Sequence, residues 1–200
     1  MFRLECCCYN CATAAWYLQE TKGAEAPPCP PCMDSNWFAN DFTVVQGEES
    51  LRAFRLFEGA DTTRVYCDKC ATVLMADHPA YGGKVIVTQS TNYKSFTALE
   101  GAELGKPQSR HFLKDLSEKE VSQLSPWEGN PNEVYQGVSD TLMAAFPGMM
   151  EAGGTGEMNI QKLIEQVGVT IPEDHRERLQ GGPPTLMQQA AAAAKKEAVQ

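Results

Sequence analysis

The chain is 200 residues long with 42% hydrophobic residues and a net charge of −9, enough for one ordinary domain with a real core and an extension. The acidic balance, with a pI near 4.9, argues against a general nucleic-acid binder, which needs a basic face. No run approaches the ~18 apolar residues of a membrane span, and Met1-Phe2-Arg3-Leu4-Glu5 has neither the apolar core of a signal peptide nor the basic, Ser-rich character of a transit peptide. The expected compartment is therefore the cytoplasm or another reducing intracellular space, where clustered cysteines more often hold metal than form disulfides.

All eight cysteines fall in three clusters. Cys6-Cys7-Cys8-Tyr9-Asn10-Cys11 contains a C-x-C-x-x-C made by Cys6, Cys8 and Cys11, and residues 1–11 are expected as a thiolate-rich loop. Trp16-Tyr17-Leu18 follows as a short buried strand or helical turn. Thr21 to Pro31 is a loop, with prolines fixing the backbone around the second cluster, Cys29-Pro30-Pro31-Cys32. Short strands are expected at 42–46, at Leu51–Phe57, where apolar and polar residues alternate, and at Lys84–Gln89. Thr63–Tyr66 and Thr72–Met75 flank the third cluster, Cys67-Asp68-Lys69-Cys70, as a strand–knuckle–strand hairpin that commonly supports a zinc C-x-x-C. Arg110–Leu113 is a further short strand. Residues 1–116 thus form a small antiparallel β domain.

Residues 117–200 change character and form a helical extension. Ser117-Glu118-Lys119-Glu120 has the layout of a capping box. A helix is expected from Asn132 to Phe146, broken at Pro147-Gly148, and an amphipathic one from Met158 to Val167, with Ile160, Leu163, Ile164 and Val167 on one face. Gly/Pro linkers separate these from an Ala-rich terminal helix over Thr185–Gln200.

Thiolates are the soft ligands zinc prefers. C-x-x-C plus C-x-x-C, with 34 residues between Cys32 and Cys67, is an ordinary zinc-ribbon spacing, so Cys29, Cys32, Cys67 and Cys70 are expected to share one structural zinc. Cys6, Cys8 and Cys11 offer three thiolates, and a three-ligand zinc leaves a position open for a substrate. The plainer alternatives are a closed site with Cys7 or a His as fourth ligand, and an iron–sulfur cluster. His78, in Asp77-His78-Pro79, reads as a turn residue, and His175 as part of a solvated helix face. The dithiol Cys29/Cys32 suggests redox chemistry only in a thioredoxin-like βαβ context, which the pattern lacks.

The order C-x-C-x-x-C, then Asp41-Phe42 and Gly47, then Tyr66-Cys67-x-x-Cys70 resembles the glutathione-dependent formaldehyde-activating enzyme family, which includes centromere protein V. The likeness covers about residues 5–116. It implies a zinc-pinned β-tent, a zinc at Cys6, Cys8 and Cys11 beside the active site, and a structural zinc at Cys67 and Cys70; His111 matches a downstream family histidine. That family's N-terminal C-x-C hairpin has no counterpart, because only five residues precede Cys6; the start is then shortened, or Cys29 and Cys32 complete the structural site. The family's Arg after the third cysteine is here Ala12, and its Gly after the knuckle is Ala71. The activity implied is carbon–sulfur lyase-type, on a thiol–aldehyde adduct such as S-hydroxymethylglutathione, with Cys6, Cys8 and Cys11 as the catalytic centre. The alternative is a non-catalytic zinc module that meets a protein partner through its C-terminal helices.

Overall fold

The computed structural model describes residues 2–23, 32–89, 106–151 and 158–172. Eight strands form one mixed sheet in the order β7-β1-β2-β6-β5-β4-β3-β8: β1 (Phe2–Cys6), β2 (Met33–Ala39), β3 (Leu51–Phe54), β4 (Thr63–Cys67), β5 (Thr72–Asp77), β6 (Val85–Gln89), β7 (Ser109–His111) and β8 (Val169–Thr170). The described α-helices are α1 (Tyr9–Lys22), α2 (Glu118–Gln123), α3 (Asp140–Glu151) and α4 (Ile160–Val167), with short 3-10 turns between elements. The chain is mainly β. The sheet is mixed rather than antiparallel throughout, because β1 pairs with β7 and β3 with β8 in parallel.

Alternation decides which side of each strand is buried. In β1, Phe2, Leu4 and Cys6 are buried while Arg3 and Glu5 are half-buried. Those two charges are paired on the neighbouring strands, Arg3 with Asp34 and Glu5 with Arg110, whose guanidinium also stacks 5.3 Å from the Trp127 ring. In β4, Val65 and Tyr66 point into different clusters. Ala14 and Leu18 of α1 pack with Tyr66, Phe54 and Val73, whereas Ile160 and Leu163 of α4 pack with Val65, Leu51 and Ile86. The third cluster joins Phe2, Leu4, Cys6, Met33 and Trp37 to Leu142 of α3.

Several local expectations hold. The β4–β5 hairpin forms, β6 and β7 occupy their expected stretches, and Ser117 and Glu120 make both hydrogen bonds of a capping box. Others change. Phe2–Cys6 is a strand where a loop is expected. Tyr9–Lys22 is one helix, longer than the short strand or helical turn expected at Trp16–Leu18, closed by Gly23 at φ 70°, whose N–H reaches the Gln19 and Leu18 carbonyls. Residues 41–46 form no strand. Pro147 does not end α3. A proline inside a helix removes an N–H and costs about 3 kcal/mol, but Ala145, Phe146, Met149 and Met150 pack against the core on both sides of it and offset that loss.

Contacts cross the boundary expected at residue 116. Ile160 and Leu163 are fully buried, and β8 extends the sheet through Ala53↔Val169 and Phe54↔Thr170. Asn40, at the end of β2, accepts from the Ile160 N–H at 2.8 Å and donates to Gln161 Oε1 at 2.6 Å. Residues 158–172 are therefore part of the β fold, while the expected terminal helix lies outside the described residues.

Candidate metal centre and its cavity

The turn from β1 into α1 sets the geometry of the first cysteine cluster. Cys6 ends the strand, Cys8 is the N-cap of the helix, and Cys11 sits in its first turn, with its N–H 3.1 Å from the Cys8 carbonyl. The three Sγ atoms lie within 4.8 Å of one another, and those of Cys6 and Cys11 are 3.9 Å apart. Sulfurs at ~2.3 Å from a tetrahedral zinc lie about 3.8 Å apart, so the donor set and its spacing both fit that metal. Among the described residues no fourth His, Cys, Asp or Glu atom joins the group.

The cluster is electrostatically unequal. Cys6 and Cys8 hydrogen-bond to the Cys11 sulfur and hold its thiol well below the usual range against the cost of burial, with the Arg64 guanidinium adding to the effect. The same bonds to Cys11, with burial, raise Cys6 and Cys8. A first negative charge therefore belongs to Cys11. A metal held by the three sulfurs would displace the protons that the other two keep.

Arg64 comes from β4 and is 4% exposed; its Nη2 donates to the Asn10 carbonyl at 3.2 Å. The cluster and Arg64 form part of the wall of a cavity of about 370 Å³. Trp37, Met75 and Val87 of the sheet and Leu142 and Phe146 of α3 supply apolar surface around it. Tyr81 also faces it. Burial and the cysteine charges push the Tyr81 phenol up, so it keeps its proton.

His111 lines the same cavity and is fully buried. Its Nε2 is 2.8 Å from Ser109 Oγ, its Nδ1 has no protein hydrogen-bond partner, and burial pushes its pKa down to about 4. The next residue, Phe112, adopts φ 63°, a left-handed conformation that costs a bulky side chain ~1–3 kcal/mol and that places it on the cavity wall.

The remaining described cysteines are Cys7, Cys32, Cys67 and Cys70. Register places Cys7 opposite Cys32, one step beyond the Cys6↔Met33 pair, and the Cys32 thiol donates to Cys7, lowering Cys7 and raising Cys32. Cys7 thus faces away from the three-cysteine cluster. Cys67 and Cys70 sit together at the β4–β5 turn, where Cys70 is exposed and its thiol is 3.3 Å from Thr72 Oγ1. Among the described residues Cys32, Cys67 and Cys70 do not form a ligand group, and Cys29 lies outside those residues. His78 acts as a turn residue, its Nδ1 accepting from the Ala80 N–H at 3.0 Å.

Sequence reasoning missed Arg64, Tyr81 and the Cys7–Cys32 pair. Arg64 had a signal, a lone charge inside the apolar run Thr63-Arg64-Val65-Tyr66. Tyr81 had none, because its place depends on how α3 folds back.

Fold and site together define a mainly β protein with a three-cysteine, metal-fitting cluster on the wall of an apolar cavity. No family profile matches the chain, and no curated protein or solved structure is significantly similar to it. No helix among the described residues is long and apolar enough to cross a membrane.

Proposed function

We propose that Cys6, Cys8 and Cys11 hold a zinc ion and that the cavity beside them joins or splits a thiol and an aldehyde, a carbon–sulfur lyase-type reaction. The observation that supports this most is three thiols within 4.8 Å of one another, facing a cavity and lacking a fourth described protein ligand. The resemblance in cysteine order to the formaldehyde-activating family is a second, weaker support.

Zinc bound there supplies Lewis acidity that favours the thiolate form of an incoming thiol. In the forward direction the thiol loses its proton and its sulfur pair attacks the carbonyl carbon. A carbon–sulfur bond forms, the carbonyl π pair moves to oxygen, and that oxygen gains a proton. In reverse the hydroxyl proton leaves, the carbonyl reforms, and the carbon–sulfur pair stays on sulfur. Tyr81, held protonated, is the wall residue suited to donate to the adduct oxygen. Arg64 fixes Cys11 and the helix start. The apolar walls limit competing water.

The test is metal content of the full chain purified without added metal, with thiols counted before and after chelation, followed by exchange of a thiol with formaldehyde. Bound zinc that masks Cys6, Cys8 and Cys11, together with metal-dependent exchange, supports the proposal. Bound zinc with no exchange by any thiol leaves the non-catalytic module. Unprotected thiols at all three positions overturn both.

A further inference from the structure

We infer that the thiol partner admitted by this cavity is an uncharged, largely apolar molecule, an aryl- or alkylmethanethiol rather than a charged peptide thiol. The inference rests on the metal–thiol reading above and adds the chemical class of the ligand.

The cavity is of small-molecule size, about 370 Å³. Its wall is built from both layers of the fold, with Trp37, Met75 and Val87 on the sheet side and Leu142 and Phe146 one helical turn apart on α3. Arg64 is the one Lys, Arg, Asp or Glu among the described lining residues, and it is already engaged with the Asn10 carbonyl and the Cys11 sulfur. A peptide thiol such as glutathione brings two carboxylates and an ammonium. The wall offers the ammonium no carboxylate, and offers the carboxylates one cation that is committed elsewhere. Charges moved from water into such a site without partners are strongly disfavoured. An apolar body, in contrast, replaces water along the part of the wall formed by Trp37, Met75, Val87, Leu142 and Phe146 and keeps its sulfur for the cysteine end.

The experiment uses the full chain loaded with cobalt(II) in place of zinc. Visible absorption bands report sulfur coordination, and tryptophan fluorescence, compared with Trp37→Phe, reports occupation of the wall. The probes are benzyl mercaptan, glutathione and benzyl alcohol. Benzyl mercaptan is expected to shift the cobalt bands and quench Trp37 at concentrations at least tenfold below glutathione. Ala80→Trp, at an exposed wall position, should weaken benzyl mercaptan at least tenfold with an unchanged circular dichroism spectrum. Met143→Lys, at a wall residue 59% exposed, should narrow the gap by helping glutathione.

Glutathione saturating at equal or lower concentration than benzyl mercaptan overturns the inference and leaves the metal–thiol reading intact. Cobalt bands unmoved by either thiol, with Trp37 still quenched by benzyl alcohol, overturn the metal–thiol reading and keep the apolar occupant. Quenching by none of the three probes overturns the inference.

Discussion

Arg64 reaches from β4 to the first turn of α1, where its Nη2 meets the Asn10 carbonyl at 3.2 Å and its charge lies against the Cys11 sulfur. The resemblance expects a cation at position 12, which is Ala12. The fold brings a cation to the same cysteine from a strand more than fifty residues away. Arg64→Ala should destabilise the protein by about 2 kcal/mol, since it removes a side chain that is 4% exposed together with its hydrogen bond to the Asn10 carbonyl. In the metal-free chain it should also move the alkylation of Cys11 to higher pH, because a stabiliser of its thiolate is gone. Arg64→Lys should restore part of that shift. Peptide-level mass spectrometry after iodoacetamide labelling reads this directly, and an unmoved Cys11 profile in Arg64→Ala contradicts it.

Metal retention should divide the cysteines into two classes. Cys6→Ser, Cys8→Ser or Cys11→Ser each removes a soft ligand from a group that has three, and each should abolish or severely weaken one bound zinc. Cys7→Ser and Cys32→Ser should leave that ion in place, because their thiols meet each other across the β1–β2 ladder. Elemental analysis of each variant decides it. Loss of the same ion from Cys7→Ser would place that residue in the metal site.

Ala71 closes the turn after Cys70 at φ 54° and is 6% exposed. Left-handed backbone costs an L residue roughly 1–2 kcal/mol. Glycine relieves this but gives up a buried methyl of ~0.8 kcal/mol and adds unfolded-state freedom of about 0.4–1 kcal/mol. Ala71→Gly should therefore change stability by less than ~1 kcal/mol, whereas β-branched Ala71→Val should cost about 2 kcal/mol or more. Urea melts of the pair test this, and a Val variant as stable as the parent would remove the strain argument.

His111 sets a pH dependence whose sign follows from its burial. Its folded pKa is pushed down to about 4, below the ordinary value near 6.5. Between those values the unfolded chain binds a proton that the folded chain refuses. Stability should then fall as pH drops from about 6.5 to about 4 and level off below that. Metal-free protein avoids the separate acid loss of the metal. His111→Gln should flatten this window, and an equally steep thermal-melt profile in that variant would assign the slope to other groups.

What the sequence revealed was local. The β4–β5 hairpin could be read from Val65, Tyr66 and Val73 around a C-x-x-C, and the Ser117–Glu120 capping box from four consecutive residues. Cys6, Cys8 and Cys11 stood out by their C-x-C-x-x-C spacing, while the strand-to-helix turn that keeps their sulfurs together was hidden behind the expectation of a loop. Spacing says nothing of long-range pairing. Cys32 reads as half of a knuckle with Cys29, which lies outside the described residues, and the β1–β2 register is what brings it opposite Cys7. Tyr9–Lys22 lacks a clean apolar stripe because Ala12, Thr13 and Ala14 are all buried beside Leu18, so its period is hidden. Pro147 reads as a breaker because the packing of Phe146 and Met150 is not local information.

The order in which strands join has a consequence for how the chain is assembled. β1 is made before every other strand of the sheet, but its parallel neighbour β7 begins only at Ser109, and β3 waits for Val169. Both edges of the sheet are closed by late-synthesised segments, and closing such long loops is slow. Until then Cys6, Cys8 and Cys11 can be together while β1 is paired with β2 alone. An ion captured at that stage would act as an early clasp, and zinc supplied during refolding should shorten the slow phase more than zinc supplied afterwards.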